Sequence, residues 1–476
     1  MSFHSLDYVA FFALVVGVYW MLDHRNQNRL LLVASYVFYG WVHPWFLTLI
    51  FASTVVDYFV GLRMQSDPQN KKRVFWMSLA VNLGLLGFFK YFNFFIENVR
   101  AVLVAMGLPP AVGLLEVVLP VGISFYTFQS LTYTIDVYRG TLQARRNFVD
   151  FALFVCFFPQ LVAGPIERAE RLLPKIEQPR TFSPDRARTA TVLIVWGFFK
   201  KLVIADNVGV IANKIFALEN PDFYLLWTGV FAFAIEIYAD FSAYSDIARG
   251  SAQWLGIDLM VTFRHPYFAR SPRDFWRRWH NSLSSWFRDY VYIPLGGSRM
   301  GAWGHTRNVI LTFLLSGFWH GASWNYILWG LYHGVLLAIT RPLHWLEAER
   351  RGWRSLITAA QMLVMFGITN IGWLLFRETD LSYLVKWFTL SPVGVPVGDR
   401  NTAFYLLSVA GLYSLPLWAH SLYAFNRERV RGWVQGWSRD ETWARAGAQA
   451  AAVAGMTALI LVLRSRTSLD FIYFQF

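Results

Sequence analysis

Charged residues are scarce in this chain, and cysteine is almost absent. Charged side chains make up 15% of the 476 residues, against roughly 25% in an ordinary soluble domain. The single cysteine, Cys156, has no partner for an internal disulfide and no His or Cys at metal-ligand spacing. These shortages exclude a disulfide-stapled domain, a cysteine-based metal site and an ordinary soluble fold.

Hydrophobic residues are abundant instead, at 55% of the chain, and the mean hydropathy is +0.36. Apolar runs recur at lengths near the roughly 20 residues that a bilayer-spanning helix requires. They predict an all-α integral membrane protein with about ten to twelve crossings or re-entrant segments. The runs cover residues 6–22, 30–62, 74–98, 117–138, 149–163, 190–217, 224–250, 308–319, 322–340, 356–376, 402–424 and 445–463.

The runs are not interrupted by a linker long enough to separate two soluble domains, and no internal repeat is visible. We therefore expect a single polytopic domain over residues 1–476. The first run has no basic segment before it, and Asp23-His24-Arg25 follows it in place of a small-residue cleavage site. This pattern predicts an uncleaved first helix rather than a signal peptide.

The net charge of +13 comes from basic residues in short loops between apolar runs. Such a distribution follows the positive-inside rule of membrane proteins and gives no indication of nucleic-acid binding. Residues 264–307 carry eight arginines against Asp274 and Asp289, which predicts that this face is cytoplasmic. Residues 63–73 are expected on the same side.

The segment RHPYFARSPRDFWRRWHNSLSSWFRDYVYIPLGGSR is too aromatic for a solvated loop and too charged for a spanning helix. Apolar residues from Phe275 to Phe287 recur at spacings of three and four, which predicts one amphipathic helix at the interface. Its arginines have two interpretations: contact with lipid headgroups, or guanidinium groups that hold the phosphates of an anionic cosubstrate. The candidate cosubstrate-binding residues are Arg273, Arg277, Arg278, Arg288 and Arg299.

Three carboxylates lie in another apolar segment, AIEIYADFSAYSDIARG. Glu236 and Asp240 are spaced i, i+4 and share one helix face, whereas Asp246 lies elsewhere on the wheel. Carboxylates inside a membrane are costly and face a cation or a wet cavity. We expect Asp240 and Asp246 to be supporting polar residues, with structural pairing and a direct catalytic role as the two alternatives.

His320 stands in the apolar segment SGFWHGASWNYILWG, and His280 ends the segment WRRWH. If His320 begins the helix that contains His333, thirteen residues at 100° each place the two imidazoles on different faces, so no metal site is expected. From the residues alone, His320 is either a satisfied structural histidine at a helix end or a neutral base near pH 7.

The blocks YADFSAYSDIARG, FRHPYFARSPRDFWRRWHNSLSSWFRDYVYIPLGGSR and LSGFWHGASWNYILWGLYHG resemble, in order and spacing, the core of the membrane-bound O-acyltransferase family. FFPQLVAGPIER at 157–168 points to the bacterial branch that includes proteins of alginate and other polysaccharide O-acetylation. The resemblance spans about residues 5–476, with the core motifs at about 120–340.

This resemblance implies a bowl of about eleven transmembrane helices with re-entrant and interfacial helices. Funnels on both faces would meet in a central tunnel. It assigns catalysis to His320 and His280, with Asn281 as a further supporting polar residue. No permanently bound cofactor is implied. The expected acyl donor is acetyl-CoA, which would enter from the cytoplasmic side of the bacterial inner membrane.

The C-terminal segment, 465–476, ends in the aromatic sequence FIYFQF. On composition it is an interfacial anchor. It also resembles the C-terminal motif of a small partner protein of the D-alanylation system, whose tyrosine is thought to receive the acyl group. This likeness predicts Tyr473 as an acyl relay.

The expected acceptor is an extracytoplasmic polysaccharide, with alginate as the first choice. The expected partners are a separate transferase of the serine-histidine-aspartate esterase type and the polysaccharide synthesis or export machinery. D-alanyl, lipid and peptidoglycan O-acylation remain alternatives within the family. Outside it, the alternatives are a polysaccharide or lipid transporter, for which inverted repeats would be needed, and a non-enzymatic scaffold.

Overall fold

A computed structural model describes the chain apart from residues 111–112, 163, 343–353, 426–440 and 475–476. The described residues form helices and no strand, which confirms the predicted all-α class. Among them, six helices are long and apolar enough to cross a membrane, so the number of crossings stays a prediction. These helices are Phe46–Ser66, Lys71–Ala105, Phe223–Trp254, Leu356–Arg377, Val397–Phe425 and Ala446–Leu463.

The chain divides into two compact units, and the first comprises residues 1–190 and 247–260. A buried carboxylate, Asp57, joins three of its helices by accepting hydrogen bonds from Ser78 (2.6 Å), Asn82 (2.9 Å) and Thr134 (3.4 Å). Neutral donors therefore satisfy a charge that lies inside a candidate membrane span. The helices that begin in this unit are α1 (Leu6–Tyr19), α2 (His24–Gly40), α3 (Phe46–Ser66), α4 (Lys71–Leu86), α5 (Phe92–Ala105), α6 (Ile123–Arg139), α7 (Phe148–Cys156), α8 (Phe158–Leu161), α9 (Ala169–Glu177) and α10 (Pro184–Phe199).

The second unit comprises residues 191–246 and 261–476 and holds every predicted site residue. A π-helical turn, Lys200–Ala205, joins α10 to the next helix, and a 3-10 turn, Ile472–Phe474, ends the described chain. The remaining helices are α11 (Asp206–Phe216), α12 (Phe223–Trp254), α13 (Pro272–Arg278), α14 (Asn281–Phe287), α15 (Gly301–His320), α16 (Trp324–Thr340), α17 (Arg354–Arg377), α18 (Leu381–Phe388), α19 (Val397–Phe425) and α20 (Glu441–Leu463).

Helices α15 and α16 form a closely packed hairpin, and glycines allow its close contact. A Cβ atom on Gly317 would collide with the Tyr326 carbonyl of α16, and one on Gly330 would collide with the Phe313 carbonyl of α15. Gly321 has the same packing role, because the Tyr326 ring fills the space beside it.

The arginine-rich segment is not one amphipathic helix, and that prediction is wrong. It forms the two short helices α13 and α14, which are separated by Trp279 and by His280 in the left-handed conformation (φ 40°, ψ 50°). This conformation is strained for a residue other than glycine. The break turns His280 inward, where it is buried, while Arg273 and Arg277 stay exposed.

Candidate active site

The functional site is built around a hydrogen bond between two predicted residues, His320 and Tyr473. The Tyr473 hydroxyl lies 3.0 Å from His320 Nδ1, although the two residues are 153 positions apart in the chain. His320 is the last residue of α15 rather than the first of α16, which corrects our starting assumption. At a helix C-terminus the partial negative charge of the backbone stabilises an imidazolium that forms there.

Aromatic rings surround this pair, with His320 buried and Tyr473 partly exposed. His320 is 5% exposed, and its ring centroid lies 5.0 Å from those of Trp319 and Trp329 and 5.4 Å from that of Phe376. The Tyr473 ring packs at 4.6 Å against Phe241 of α12. Burial raises the pKa of the Tyr473 phenol well above its ordinary value of 10. The phenol therefore stays protonated near neutral pH and needs a base before it can act as a nucleophile.

His280 lies beside the same tyrosine but does not bond to it. The ring centroids of His280 and Tyr473 are 6.4 Å apart, and Phe241 packs edge-on against the imidazole at 4.7 Å. Its Nδ1 lies 3.3 Å from the Ser282 hydroxyl, and its buried Nε2 has no hydrogen-bond partner among the described residues. Burial lowers the pKa of His280 to about 3, so the ring is neutral. A neutral ring with one free nitrogen can accept or donate one hydrogen bond to a substrate.

Each of the two predicted carboxylates forms an ion pair with a lysine. Asp240 pairs with Lys201 (3.0 Å) and also accepts a hydrogen bond from the Ile472 backbone N–H, next to Tyr473 (2.7 Å). Asp246 pairs with Lys200 at 2.8 Å. Sequence reasoning missed both lysines. The available signal was the sequence FFKKLVIAD, in which two cations stand inside an apolar run and require buried partners.

A large cavity of about 1040 Å³ lies within the second unit, and residues of α13 to α17 line it. Three of the five predicted cosubstrate-binding arginines line it: Arg273, Arg277 and Arg288. The other two are not among its described lining residues. Arg278 pairs with Asp274 at 2.7 Å, and Arg299 ends a short 3-10 helix.

Two further arginines, Arg270 and Arg341, line the cavity and were not predicted. Its described lining thus contains five arginines and no carboxylate, while α17 contributes apolar residues such as Val364 and Met365. A basic wall beside an apolar wall suits an anionic ligand that carries an apolar portion.

The cavity approaches the His320–Tyr473 pair from one side. Ser316 lines it and stands one turn before His320 on α15, roughly 6 Å along the helix axis. Asn281 also lines it and directly follows His280; its backbone N–H donates to the Thr262 carbonyl (2.9 Å), which fixes the start of α14. Three of the predicted residues, His280, His320 and Tyr473, thus lie around one centre, and Asn281 lines the cavity beside it.

This arrangement has the parts of a group-transfer enzyme. It combines an imidazole within hydrogen-bond reach of a hydroxyl, an aromatic enclosure and an adjacent basic cavity. This set of groups suits acyl transfer to a hydroxyl.

Comparison with known proteins identifies the class. Residues 142–371 match the membrane-bound O-acyltransferase family. The chain is 41% identical over 381 residues to the probable alginate O-acetylase AlgI of Pseudomonas putida, covering 79% of this chain and 77% of that protein. The protein therefore belongs to the membrane-bound O-acyltransferase family: it is a multi-pass membrane enzyme that transfers acyl groups to oxygen.

Two other relatives show the breadth of this likeness. The chain is 34% identical to the peptidoglycan O-acetyltransferase of Helicobacter pylori over 77% of this chain and 75% of that protein. It is 28% identical to the teichoic acid D-alanyltransferase of Bacillus subtilis over 54% of this chain and 68% of that protein. These relatives share the family and differ in the polymer that their names specify.

Proposed function

We propose that this enzyme takes an acetyl group from cytoplasmic acetyl-CoA and passes it across the bacterial inner membrane for O-acetylation of a polysaccharide. His320 acts as the general base and Tyr473 carries the acetyl group. The observation that supports this proposal most directly is the 3.0 Å contact between the Tyr473 hydroxyl and His320 Nδ1. That distance falls within the range at which a general base takes a proton.

In the first transfer, Tyr473 Oη attacks the thioester carbonyl and its proton passes to His320 Nδ1. A C–O bond forms, the C–S bond breaks, and His320 returns the proton to the departing thiolate to give free CoA. The product is an aryl ester, which is activated enough to be passed on. In a second transfer, a sugar hydroxyl takes the acetyl group and the phenol is restored.

His280 supports this step from its place beside the Tyr473 ring. Its neutral imidazole has a buried Nε2 without a partner among the described residues, and it follows the break that ends α13. Such a nitrogen is suited to orient the acyl group or the donor next to the reacting carbonyl. The left-handed backbone at His280 holds the ring in that place.

The donor is proposed to occupy the arginine-lined cavity. Acetyl-CoA carries several negative phosphate charges, and the five arginines that line the cavity form a matching surface, although Arg288 also pairs with Asp289 at 2.7 Å. The thioester end would then extend past Asn281 and Ser316 toward His320. The positive-inside distribution of charge supports a cytoplasmic mouth.

Replacing a cavity arginine is expected to weaken donor binding. Arg277→Ala removes an exposed guanidinium that lines the cavity, so the KM for acetyl-CoA should rise about ten-fold or more, because hydrogen bonds to charged groups are the strong ones. The value of kcat should change little. Initial rates at varied acetyl-CoA concentration measure both constants. Arg264→Ala, in the same segment but not among the residues that line the cavity, is the matched control and should leave the KM unchanged.

Alginate is the proposed acceptor, since the relative described above as a probable alginate O-acetylase aligns over most of both chains. A separate extracytoplasmic transferase of the esterase type would carry out the second transfer, together with the polysaccharide synthesis or export machinery. A D-alanyl, lipid or peptidoglycan acyl acceptor would keep the same His320 chemistry and change only the donor or the acceptor.

Label mapping tests this proposal on the intact enzyme. The purified protein is incubated with acetyl-CoA that carries an isotopic label in the acetyl group, and the acylated residue is located by peptide mass spectrometry. We expect the label on Tyr473. Labelled protein with an unlabelled Tyr473 would refute the relay, and failure to react with acetyl-CoA while another acyl donor reacts would refute the donor assignment.

A further inference from the structure

We infer that Lys201, Asp206 and Asp240 form a clamp that positions the C-terminal tail, residues 464–474, so that the Tyr473 hydroxyl meets His320. The clamp residues touch neither donor nor acceptor and act through the tail. The inference rests on the proposed role of Tyr473 and extends it to residues on α10 to α12 that have no part in the chemistry.

The clamp contacts three tail residues through their backbone atoms. The Asp240 carboxylate accepts the Ile472 N–H at 2.7 Å, and the backbone N–H of Leu469 lies close to the Asp206 carboxylate. Between these two donors, the Lys201 ammonium lies 3.5 Å from the Asp470 carbonyl. Negative groups thus meet N–H donors and the positive group meets a carbonyl, so the polarity of the clamp matches the polarity of the tail backbone.

The three clamp residues also hold one another rigidly. Lys201 Nζ lies 2.9 Å from Asp206 and 3.0 Å from Asp240, and all three side chains are at most 3% exposed. Taking three charges out of water is expensive, and a well-packed apolar set would serve stability as well or better. A buried triad with hydrogen bonds directed at one segment is suited to fixing the geometry of that segment.

Side chains of the tail complete the docking. Phe471 is fully buried and stacks on Tyr244 of α12, with ring centroids 3.9 Å apart and an interplanar angle of 19°. Leu469 reaches over Gly209 of α11, where an added Cβ would lie 2.6 Å from the leucine side chain. These apolar contacts bind the tail to the site. The hydrogen bonds of the clamp fix the register of the tail, which means the tail residue that lies opposite His320.

Register decides whether the acyl-transfer step is possible. Consecutive residues advance by roughly 2.0 Å in a 3-10 turn such as Ile472–Phe474 and by roughly 3.3 Å in an extended chain, whereas a general base works only within about 2.6–3.2 Å of the proton donor. A shift of the tail by one residue would therefore separate Tyr473 from His320. The backbone bond of Ile472, the residue directly before Tyr473, is the one that prevents such a shift.

Thiol protection in the full-length protein measures the docking without using the chemistry. The one native cysteine, Cys156, is fully buried, so Ile472→Cys adds a single reporter at a position that is 1% exposed. Asp240→Asn in this background keeps the side-chain shape and removes the charge. We expect the reporter thiol to react with a maleimide at least about ten-fold faster, because a charge-assisted hydrogen bond is lost.

Two further variants separate positioning from general loss of structure. Asp246→Asn removes the carboxylate of the neighbouring Lys200 ion pair on the same helix and should leave the reporter protected. Lys201→Arg keeps the cation and should protect the thiol better than Lys201→Met. In the Asp240→Asn protein with native Ile472, labelling of Tyr473 should fall in step with the lost protection, while the KM for acetyl-CoA stays unchanged.

Failure of this inference and failure of the relay give different results. If Asp240→Asn leaves the reporter as protected as in its parent while Tyr473 is still labelled, the clamp is overturned and the relay stands. If protection is lost as expected but the native protein never carries acetyl on Tyr473, the clamp stands and the relay fails. If Asp246→Asn exposes the reporter thiol as much as Asp240→Asn does, the clamp is overturned, because the effect is then not specific to the residues that contact the tail.

Discussion

Replacing His320 by alanine should reduce acetyl transfer to Tyr473 by about 10²- to 10⁴-fold, the usual contribution of a general base. The expectation has two causes in the structure. Burial keeps the Tyr473 phenol protonated, and His320 Nδ1 is the described group that hydrogen-bonds to its hydroxyl. Single-turnover labelling with acetyl-CoA, followed by quantitative peptide mass spectrometry of the tail, measures the rate.

A second buried imidazole on the neighbouring helix provides the control for this variant. His333 of α16 packs against Trp329, the same ring that contacts His320, but lies outside the proposed reaction path. His333→Gln should keep labelling of Tyr473 within a few-fold of the native rate. A His320→Ala protein that labels Tyr473 at the native rate would show that the contact is structural and that another group takes the proton.

The site residues that stand in recognisable sequence motifs could be predicted. His280, Asn281 and His320 stand in long motifs whose order and spacing are informative, and the tail sequence pointed to Tyr473. The structure brings His280, His320 and Tyr473 into one centre of the second unit and places Asn281 on the adjacent cavity. The all-α class was equally accessible, because apolar runs near membrane length leave few other solutions.

The parts that depend on contacts distant in sequence could not be predicted. Periodicity favoured one helix from Phe275 to Phe287, but the left-handed backbone at His280 divides it, since burial of that imidazole and of the rings around it outweighs local helix preference. Lys201 gave only the signal of a cation inside an apolar run. One partner, Asp206, follows five residues later, but the other partners lie 39 residues further on α12 and, through the backbone, in the tail, and backbone contacts leave no mark in a sequence.

Replacing Tyr473 by phenylalanine should abolish covalent labelling of the enzyme while the tail remains docked. The change removes one oxygen and keeps the ring that packs on Phe241 at 4.6 Å. The backbone bond from Ile472 to Asp240 is also unaffected. The KM for acetyl-CoA, measured through any residual hydrolysis of the thioester, should therefore stay at its native value, and the melting temperature should fall only slightly, since one hydrogen bond is worth about 1 kcal/mol.

The control for this variant is another tyrosine hydroxyl in the same unit. Tyr332 of α16 donates to the Ile368 carbonyl of α17 at 2.8 Å, so Tyr332→Phe removes an equivalent group outside the proposed path. Labelling of Tyr473 should persist in that protein. Loss of label in both variants would indicate that a disturbed fold, rather than the missing acceptor, is responsible.

Transfer to polymer in the presence of the proposed extracytoplasmic transferase then decides how Tyr473 is used. If the aryl ester is an obligatory intermediate, Tyr473→Phe should lower polymer acetylation by at least about 10²-fold, because His320 has no hydroxyl to activate. Native enzyme labelled in advance and freed of acetyl-CoA should pass its label to the polymer in a single turnover. Native-rate acetylation by Tyr473→Phe would mean that a hydroxyl supplied by another molecule takes the acetyl group directly at His320, with the phenol serving only to fill the site.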